Sequence, residues 1–271
     1  MNDLPHKALL PAGFPDILPP QAGHEAAVTA ALIASLTAQG YERVKPPLVE
    51  YEDTLLSGPG AAMAQQTFRL MDPVSQRMMG VRADLTLQIA RIAETRLAQS
   101  PKPQRLCYAG DVLRVKGDQL RPERQFTQVG AELIDGPAPS ADVEVVLLAV
   151  GALAEAGARR LSIDLKQPKL VPTLLDEVAP LAGKADALRD ALDRKDTARV
   201  AELGGDAAAT LAALMTATGP AAQAVPALAA LDLPKRAAAE RDRLLAVVGP
   251  VVEALPDVTV TVDPVEHRGF E

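Results

Sequence analysis

One stretch constrains this chain more than any other: Gly110–Ile134, GDVLRVKGDQLRPERQFTQVGAELI. It reads as two strands joined by a polar, charge-bearing loop. Successive side chains of a strand alternate between its faces. On the return run, Phe126, Gln128, Gly130 and Glu132 therefore share one side, and Thr127, Val129, Ala131 and Leu133 the other. One face is mostly small and apolar. The other carries Gln128 and Glu132 with a bare glycine between them, and a glycine there leaves room for something to lie against the backbone. On the outgoing run Val112 and Arg114 alternate with Leu113 and Val115, which can set Arg114 beside that gap. A cation, an amide and a carboxylate around a cleared patch of sheet suit a small zwitterion, the arginine meeting its carboxylate and the glutamate its amine. A half-exposed hairpin with one solvated face has the same pattern, and alternation alone does not choose between the two.

Length and composition set the frame. A chain of 271 residues fits one large domain, or one domain with a smaller insert. Hydrophobic residues make up 48% but aromatics only 3%, with no Trp, so the core has to be built from Ala, Leu and Val. A net charge of -7 argues against binding a phosphate backbone over a wide surface, while leaving a local basic patch open. The one cysteine, Cys107, excludes an internal disulfide and a multi-cysteine metal site; in its apolar run it reads as a buried thiol. No signal peptide is evident, and no stretch approaches the ~18 uninterrupted apolar residues of a membrane span. A cytoplasmic, soluble protein is expected.

Along the chain, residues 1–20 read as an extended arm with turns, rich in Pro and Gly. Gln21–Ala38 has helical spacing, with Gly40 placed to end it. Tyr41–Tyr51 (YERVKPPLVEY) reads as a strand; Pro46 and Pro47 cannot donate ladder hydrogen bonds, which puts it at an edge or an interface. Ser57–Gln65 reads as a flexible connection. Thr67–Met71 and Arg77–Arg82 look like strands turning at Asp72–Pro73. Arg82, Asp84 and Thr86 share a parity if VRADLT is extended, and Asp84 or Thr86 is also able to cap the helix that follows. Ser140–Gly157 is a second strong helix and Arg160–Leu165 a short strand.

From Gln167 to Leu255 the sequence turns Ala- and Leu-rich, with breaks near Pro180, Gly204, Pro220, Pro226, Pro234 and Pro250. It reads as a small all-helical insert whose charge runs are solvated faces. Asp257–Asp263 (DVTVTVD) alternates strictly, as a strand returning to the main sheet would. The organisation expected is a core over 1–166, a helical insert over 167–256 and a return strand over 257–271. Phosphate-binding glycine loops, a G-x-S-x-G elbow and metal-ligand histidine spacing are all absent from the sequence, and no nucleophilic triad can be assembled.

These segments together carry a resemblance. YERVKPPLVEY after its helix resembles the class II aminoacyl-tRNA synthetase dimerisation motif. VRADLT resembles the histidyl-tRNA synthetase segment L-R-P-E-G-T. LRVKGDQLRPERQFTQVGAELI is similar to the second class motif with its Q-x-G-x-E ending, and HRGFE to the start of the histidine-specific R-G-L-D-Y-Y segment. The resemblance runs from about Leu9 to Glu271. It is to the catalytic-domain portion of histidyl-tRNA synthetase and, more closely, to the non-catalytic paralogues that serve as regulatory subunits of short-form ATP phosphoribosyltransferase.

It implies an α+β fold, a class II synthetase-like antiparallel sheet flanked by helices. It also implies a histidine pocket: Asp84 and Thr86 at the amino end, Gln128 and Glu132 completing the amino and imidazole side, Arg114 at the carboxylate, and Arg268 in place of the family's catalytic arginine. Partners implied are the short-form catalytic subunit, a second copy through Tyr41–Tyr51, and histidine as ligand.

The departures point away from catalysis. Lys116 stands where the synthetase has an acidic residue, and Asp84–Leu85 where it has Glu-Gly. The loop over 116–123 differs from the tRNA-reading loop, and the third class motif and anticodon domain do not appear. Losing a triphosphate clamp should disable adenylation. A regulatory subunit without cofactor, metal or tRNA is therefore expected, one that mediates allosteric inhibition by histidine; the alternative is a histidine-activating ligase or its inactive remnant. Relatives are expected to continue past R-G-F-E into more strands, so the chain also reads as apparently truncated.

Overall fold

The computed structural model describes residues 10–117, 122–178 and 185–266. It divides into two compact units, one comprising residues up to Gly136 with Gly151–Gly157, the other Pro137–Val150 with the residues from Ala158 onward.

The first unit begins with helix α1 (Gln21–Ala38), which ends where expected. Gly40 takes a left-handed φ of 84° that lets the Tyr41 amide turn back to the Leu36 carbonyl. The single strand expected over Tyr41–Tyr51 is instead two, β1 (Glu42–Arg43) and β2 (Val49–Tyr51), in different sheets. Pro46 and Pro47 cannot donate to a ladder, and the chain breaks there. A short helix α2 (Glu52–Leu55) follows. The expected flexible connection contains a 3-10 helix over Gly58–Met63. Next come β3 (Phe68–Met71) and β4 (Met78–Val81), turned by Asp72, whose carboxylate accepts from the amides of Val74 and Ser75. Strands β2, β4 and β3 pair antiparallel in that order.

Helix α3 (Thr86–Thr95) leads to the long hairpin β5 (Gln104–Leu113) and β6 (Gln125–Ile134). These pair antiparallel over their full length, and β1 adds parallel to β5. The fold is α+β as expected, with mixed rather than purely antiparallel pairing. Directly opposite residues of an antiparallel pair project to the same face. The register sets Leu106 against Glu132, Tyr108 against Gly130, Gly110 against Gln128 and Val112 against Phe126. Leu85, Ile89 and Ala93 of the α3 segment pack onto Leu106, Tyr108 and Val112 of that face. The opposite face meets α1, where the Thr127 hydroxyl donates to Glu25 at 2.6 Å. Cys107 is buried and its thiol donates to the Tyr41 carbonyl; burial raises its pKa.

Helix α4 (Ser140–Glu155) precedes the second unit's strands and helices: β7 (Ser162–Lys166), α5 (Leu170–Val178), α6 (Ala185–Asp193), α7 (Thr197–Leu203), α8 (Ala208–Thr216), β8 (Gly219–Pro220), α9 (Ala221–Ala229), α10 (Lys235–Ala254) and β9 (Thr259–Asp263). Helices fill most of the described residues of 167–256, with β8 among them, but the compact unit that holds them also takes in Pro137–Val150 and β7, both expected in the core. Pro226 and Pro250 lie inside α9 and α10 rather than between helices. Each helix there buries an apolar side, Ala224 and Leu228 in one, Val248 and Val251 in the other, and that packing outweighs the helix-breaking cost of proline. Nor does β9 return to the hairpin's sheet. It pairs parallel with β7 and antiparallel with β8. Leu170, Leu174, Leu192, Leu211, Leu214, Leu228, Val248 and Val262 are among the residues closing this unit's core.

Candidate functional site

The hairpin face under α3 holds the predicted residues, built from two short polar chains. In the first, Asp84 sits just before α3 and its Oδ1 accepts from the Thr86 amide at 2.7 Å, a local turn contact; the N-cap position itself is Leu85, without a side-chain cap, so neither Asp84 nor Thr86 caps the helix as expected. Its other oxygen accepts from Gln128 Nε2 at 3.1 Å. Gln128 Oε1 in turn accepts from the Leu85 amide at 2.9 Å. The β6 amide thus locks the 84–86 segment against the sheet.

In the second chain, the Tyr108 hydroxyl donates to Glu132 Oε1 at 3.1 Å and lies 3.3 Å from the Thr86 hydroxyl. Glu132 is opposite Leu106 at the margin of an apolar cluster. Burial accordingly raises its pKa, hydrogen bonds from Tyr108 and Thr86 oppose that, and the charge of Asp84 adds to it. Burial likewise drives the Tyr108 phenol well above its usual value, so it stays a donor.

Four of the six candidates, Asp84, Thr86, Gln128 and Glu132, are thereby brought together. Arg114 lies just beyond β5 at the Phe126 end of the face. Its guanidinium is 5.1 Å from the Phe126 ring and its Nε contacts the Ala83 carbonyl at 3.4 Å. It is therefore next to the 83–86 segment, not beside Gly130 as expected. Arg268 lies outside the described residues. The expectation of an open gap at Gly130 is also corrected: the Tyr108 ring occupies it, so closely that a methyl group on residue 130 would overlap Oη and Cζ.

Two residues escaped the sequence reading. Tyr108 follows only from the register, which stands it directly across from Gly130 on the face that carries Gln128 and Glu132. Arg82 shares its parity with Asp84 and Thr86 but is buried, 6% exposed. It donates from Nε to the Asp111 carbonyl at 2.7 Å and from NH1 to the Pro46 carbonyl at 3.1 Å, filling the space that Gly110 leaves. It holds β5 and the Pro46–Pro47 elbow to the chain that carries Asp84. Among the described residues, no group of three or more His, Cys, Asp or Glu side chains could hold a metal ion, and no helix is long and apolar enough to cross a membrane.

The hairpin, the helix lying on its polar face and the helical second unit define a class II aminoacyl-tRNA synthetase-like protein. Residues 13–271 match the family described as histidyl-tRNA synthetase. The ATP phosphoribosyltransferase regulatory subunit of Rhodospirillum centenum is 59% identical over 267 residues, which cover 98% of this chain and 69% of that protein. The solved structure of an ATP phosphoribosyltransferase regulatory subunit/histidyl-tRNA synthetase from Bacillus halodurans matches with a TM-score of 0.81 at 25% identity, covering 97% of this chain and 70% of that one. The same fold, at 15% identity and a TM-score of 0.67, occurs in the ATP phosphoribosyl transferase (HisG:HisZ) complex from Thermotoga maritima, over 90% of this chain and 82% of that one. The chain belongs to the histidyl-tRNA synthetase family, on its ATP phosphoribosyltransferase regulatory-subunit branch.

Proposed function

We propose that this chain works in the first step of histidine biosynthesis as the non-catalytic partner of a short-form ATP phosphoribosyltransferase catalytic subunit, and that the Asp84–Thr86–Gln128–Glu132 face takes up histidine. The role rests on the identity to regulatory subunits across nearly the whole chain. The ligand rests on one observation: a half-buried carboxylate, Glu132, held by hydroxyls and raised in pKa by burial and by Asp84. A cationic donor on that face, an ammonium or imidazolium, would offset both effects. Arg114, and Arg268 by resemblance, would meet the ligand carboxylate. The chain contributes no group to the phosphoribosyl transfer. Histidine would lower activity only by binding the less active assembly more tightly, so the site acts through its affinity difference between two states.

The test uses the purified chain with and without a short-form catalytic subunit. Transferase activity is expected only when both are present, with inhibition by histidine. Glu132→Ala should keep the activation and lose the inhibition. The name of the Bacillus halodurans structure favours a second reading, histidine activation. That reading requires histidine-dependent exchange of pyrophosphate with ATP, which should be absent. Feedback left intact in Glu132→Ala, with no calorimetric histidine binding to the chain, would reduce the face to a relic.

A further inference from the structure

The hairpin does not end with its ladder. Leu113, the last residue of β5, stands opposite Gln125, the first of β6, and the register runs on by one more pair. The Arg114 amide donates to the Arg124 carbonyl at 2.7 Å, and the Arg124 side chain returns the contact, its Nε donating to the Arg114 carbonyl at 3.3 Å. Arg114 is thus held through its own backbone. Its guanidinium is steered only weakly, by the Ala83 carbonyl at 3.4 Å and the Phe126 ring at 5.1 Å. A long side chain with so few contacts goes where its Cα sends it, and a small misplacement there spoils the alignment of a bidentate contact.

Arg124 in turn carries the N-terminal arm. Its amide donates to the Gly13 carbonyl at 2.8 Å and its Nη1 to the Ala12 carbonyl at 3.1 Å. Its guanidinium lies 4.7 Å from the Phe14 ring and 4.9 Å from the ring of Phe68, at the start of β3. The two rings are 6.1 Å apart and tilted by 54°. Arm, β3 and hairpin therefore meet on one planar cation. An arginine suits this place because it donates to two carbonyls and faces aromatic rings at the same time, which a lysine does not. Gly13 makes the fit possible. It has a left-handed φ of 82°, and a Cβ on it would lie 2.6 Å from Arg124 Cδ.

We propose that Arg124, braced by the arm at Ala12–Phe14, positions Arg114 and so sets selectivity for a ligand carboxylate, a role that rests on Arg114 meeting the carboxylate of histidine. Calorimetry on the intact chain compares histidine with histamine, which keeps the imidazole and the ammonium but has no carboxylate. The parent should bind histidine more tightly. Arg124→Lys should weaken histidine binding by about tenfold or more and leave histamine binding within about twofold of the parent. Gly13→Ala, which drives a methyl group at Arg124 from the arm, should do the same. In an Arg114→Gln background neither change should weaken histidine further, because the group they position is gone. An arm that served only to stabilise the unit would instead lower the melting temperature and weaken both ligands alike, and that result would overturn the proposal. A parent that bound histidine no better than histamine, or not at all, would remove Arg114 from the site and the proposal with it. A parent that discriminates, with Arg124→Lys discriminating equally well, would overturn the proposal and leave the histidine reading standing.

Discussion

The two units treat a buried carboxylate in opposite ways. In the second, Asp263 is 7% exposed and fully answered. Lys195 Nζ reaches both its oxygens, at 2.8 and 2.6 Å, and the amides of Val265 and Glu266 donate to Oδ1. In the first, the recorded partners of Glu132 are hydroxyls, its pKa is pushed up by burial, and a second carboxylate, Asp84, adds to the strain. A fully compensated charge is a strut for the fold. One left under-compensated on a face with other convergent polar groups marks a place where a ligand completes the set. The second unit's density of Leu and Val fits the same division of labour under the proposed function, in which it would supply stability and the hairpin recognition.

The largest expected effect tests the strut. Asp263→Ala leaves two amides without their acceptor and Lys195 without its counter-ion. Breaking a buried pair costs about 3–5 kcal/mol; Lys195 is 36% exposed, which puts the expected loss near the lower figure. Chemical denaturation should show it as a shifted midpoint, with histidine affinity retained while the protein is folded. The next effect tests the recognition face. Gly130→Ala drives a methyl group into the hydroxyl end of the Tyr108 side chain, and overpacking of this kind costs about 1–3 kcal/mol. Because the displaced ring carries the hydroxyl that holds Glu132, histidine affinity should fall at least tenfold, read by calorimetry. Asp263→Ala and Gly130→Ala thus separate the units: one loses stability alone, the other loses stability and binding together.

What the sequence made legible follows from the range of each signal. Helix α1, the β3–β4 turn and the return strand of the hairpin are local patterns, and all three appear where the spacing put them, whereas the outgoing strand begins at Gln104 and ends at Leu113, one residue before Arg114. Parity placed Gln128 and Glu132 on one face, because alternation is a property of a single strand. It said nothing about which residue of the neighbouring strand would fill the space above Gly130. That depends on a register fixed across a loop, and the answer was Tyr108. The burial of Arg82 was hidden for the same reason, since its acceptors at Asp111 and Pro46 are about thirty residues away on either side. The partner of β9 was likewise a long-range choice: strict alternation in DVTVTVD identified a strand but not its neighbour, β7. Prolines inside α9 and α10 were read as breaks because local preference is all that a single sequence displays.

The smallest effect is the most diagnostic, because its sign separates the two kinds of carboxylate. Burial raises the folded-state pKa of Glu132 above its unfolded value. Between the two values the native state binds more protons than the unfolded chain, so stability falls as pH rises through that window. At neutral pH the ionised Glu132 is therefore a net cost. Glu132→Gln removes the cost while keeping an oxygen for the Tyr108 hydroxyl to donate to. Its melting temperature should rise at pH 7, by at most roughly 2 °C once solvent screening of a partly exposed group is allowed for. The gain should vanish below the ordinary glutamate range, where the native carboxyl is already protonated. Histidine binding should weaken in the same variant, since a neutral amide cannot offset a cation. Stability gained together with affinity lost is the signature of a group kept for its ligand. If Glu132→Gln instead melted lower at neutral pH, Glu132 would be a strut like Asp263, and the contrast between the two units would fail.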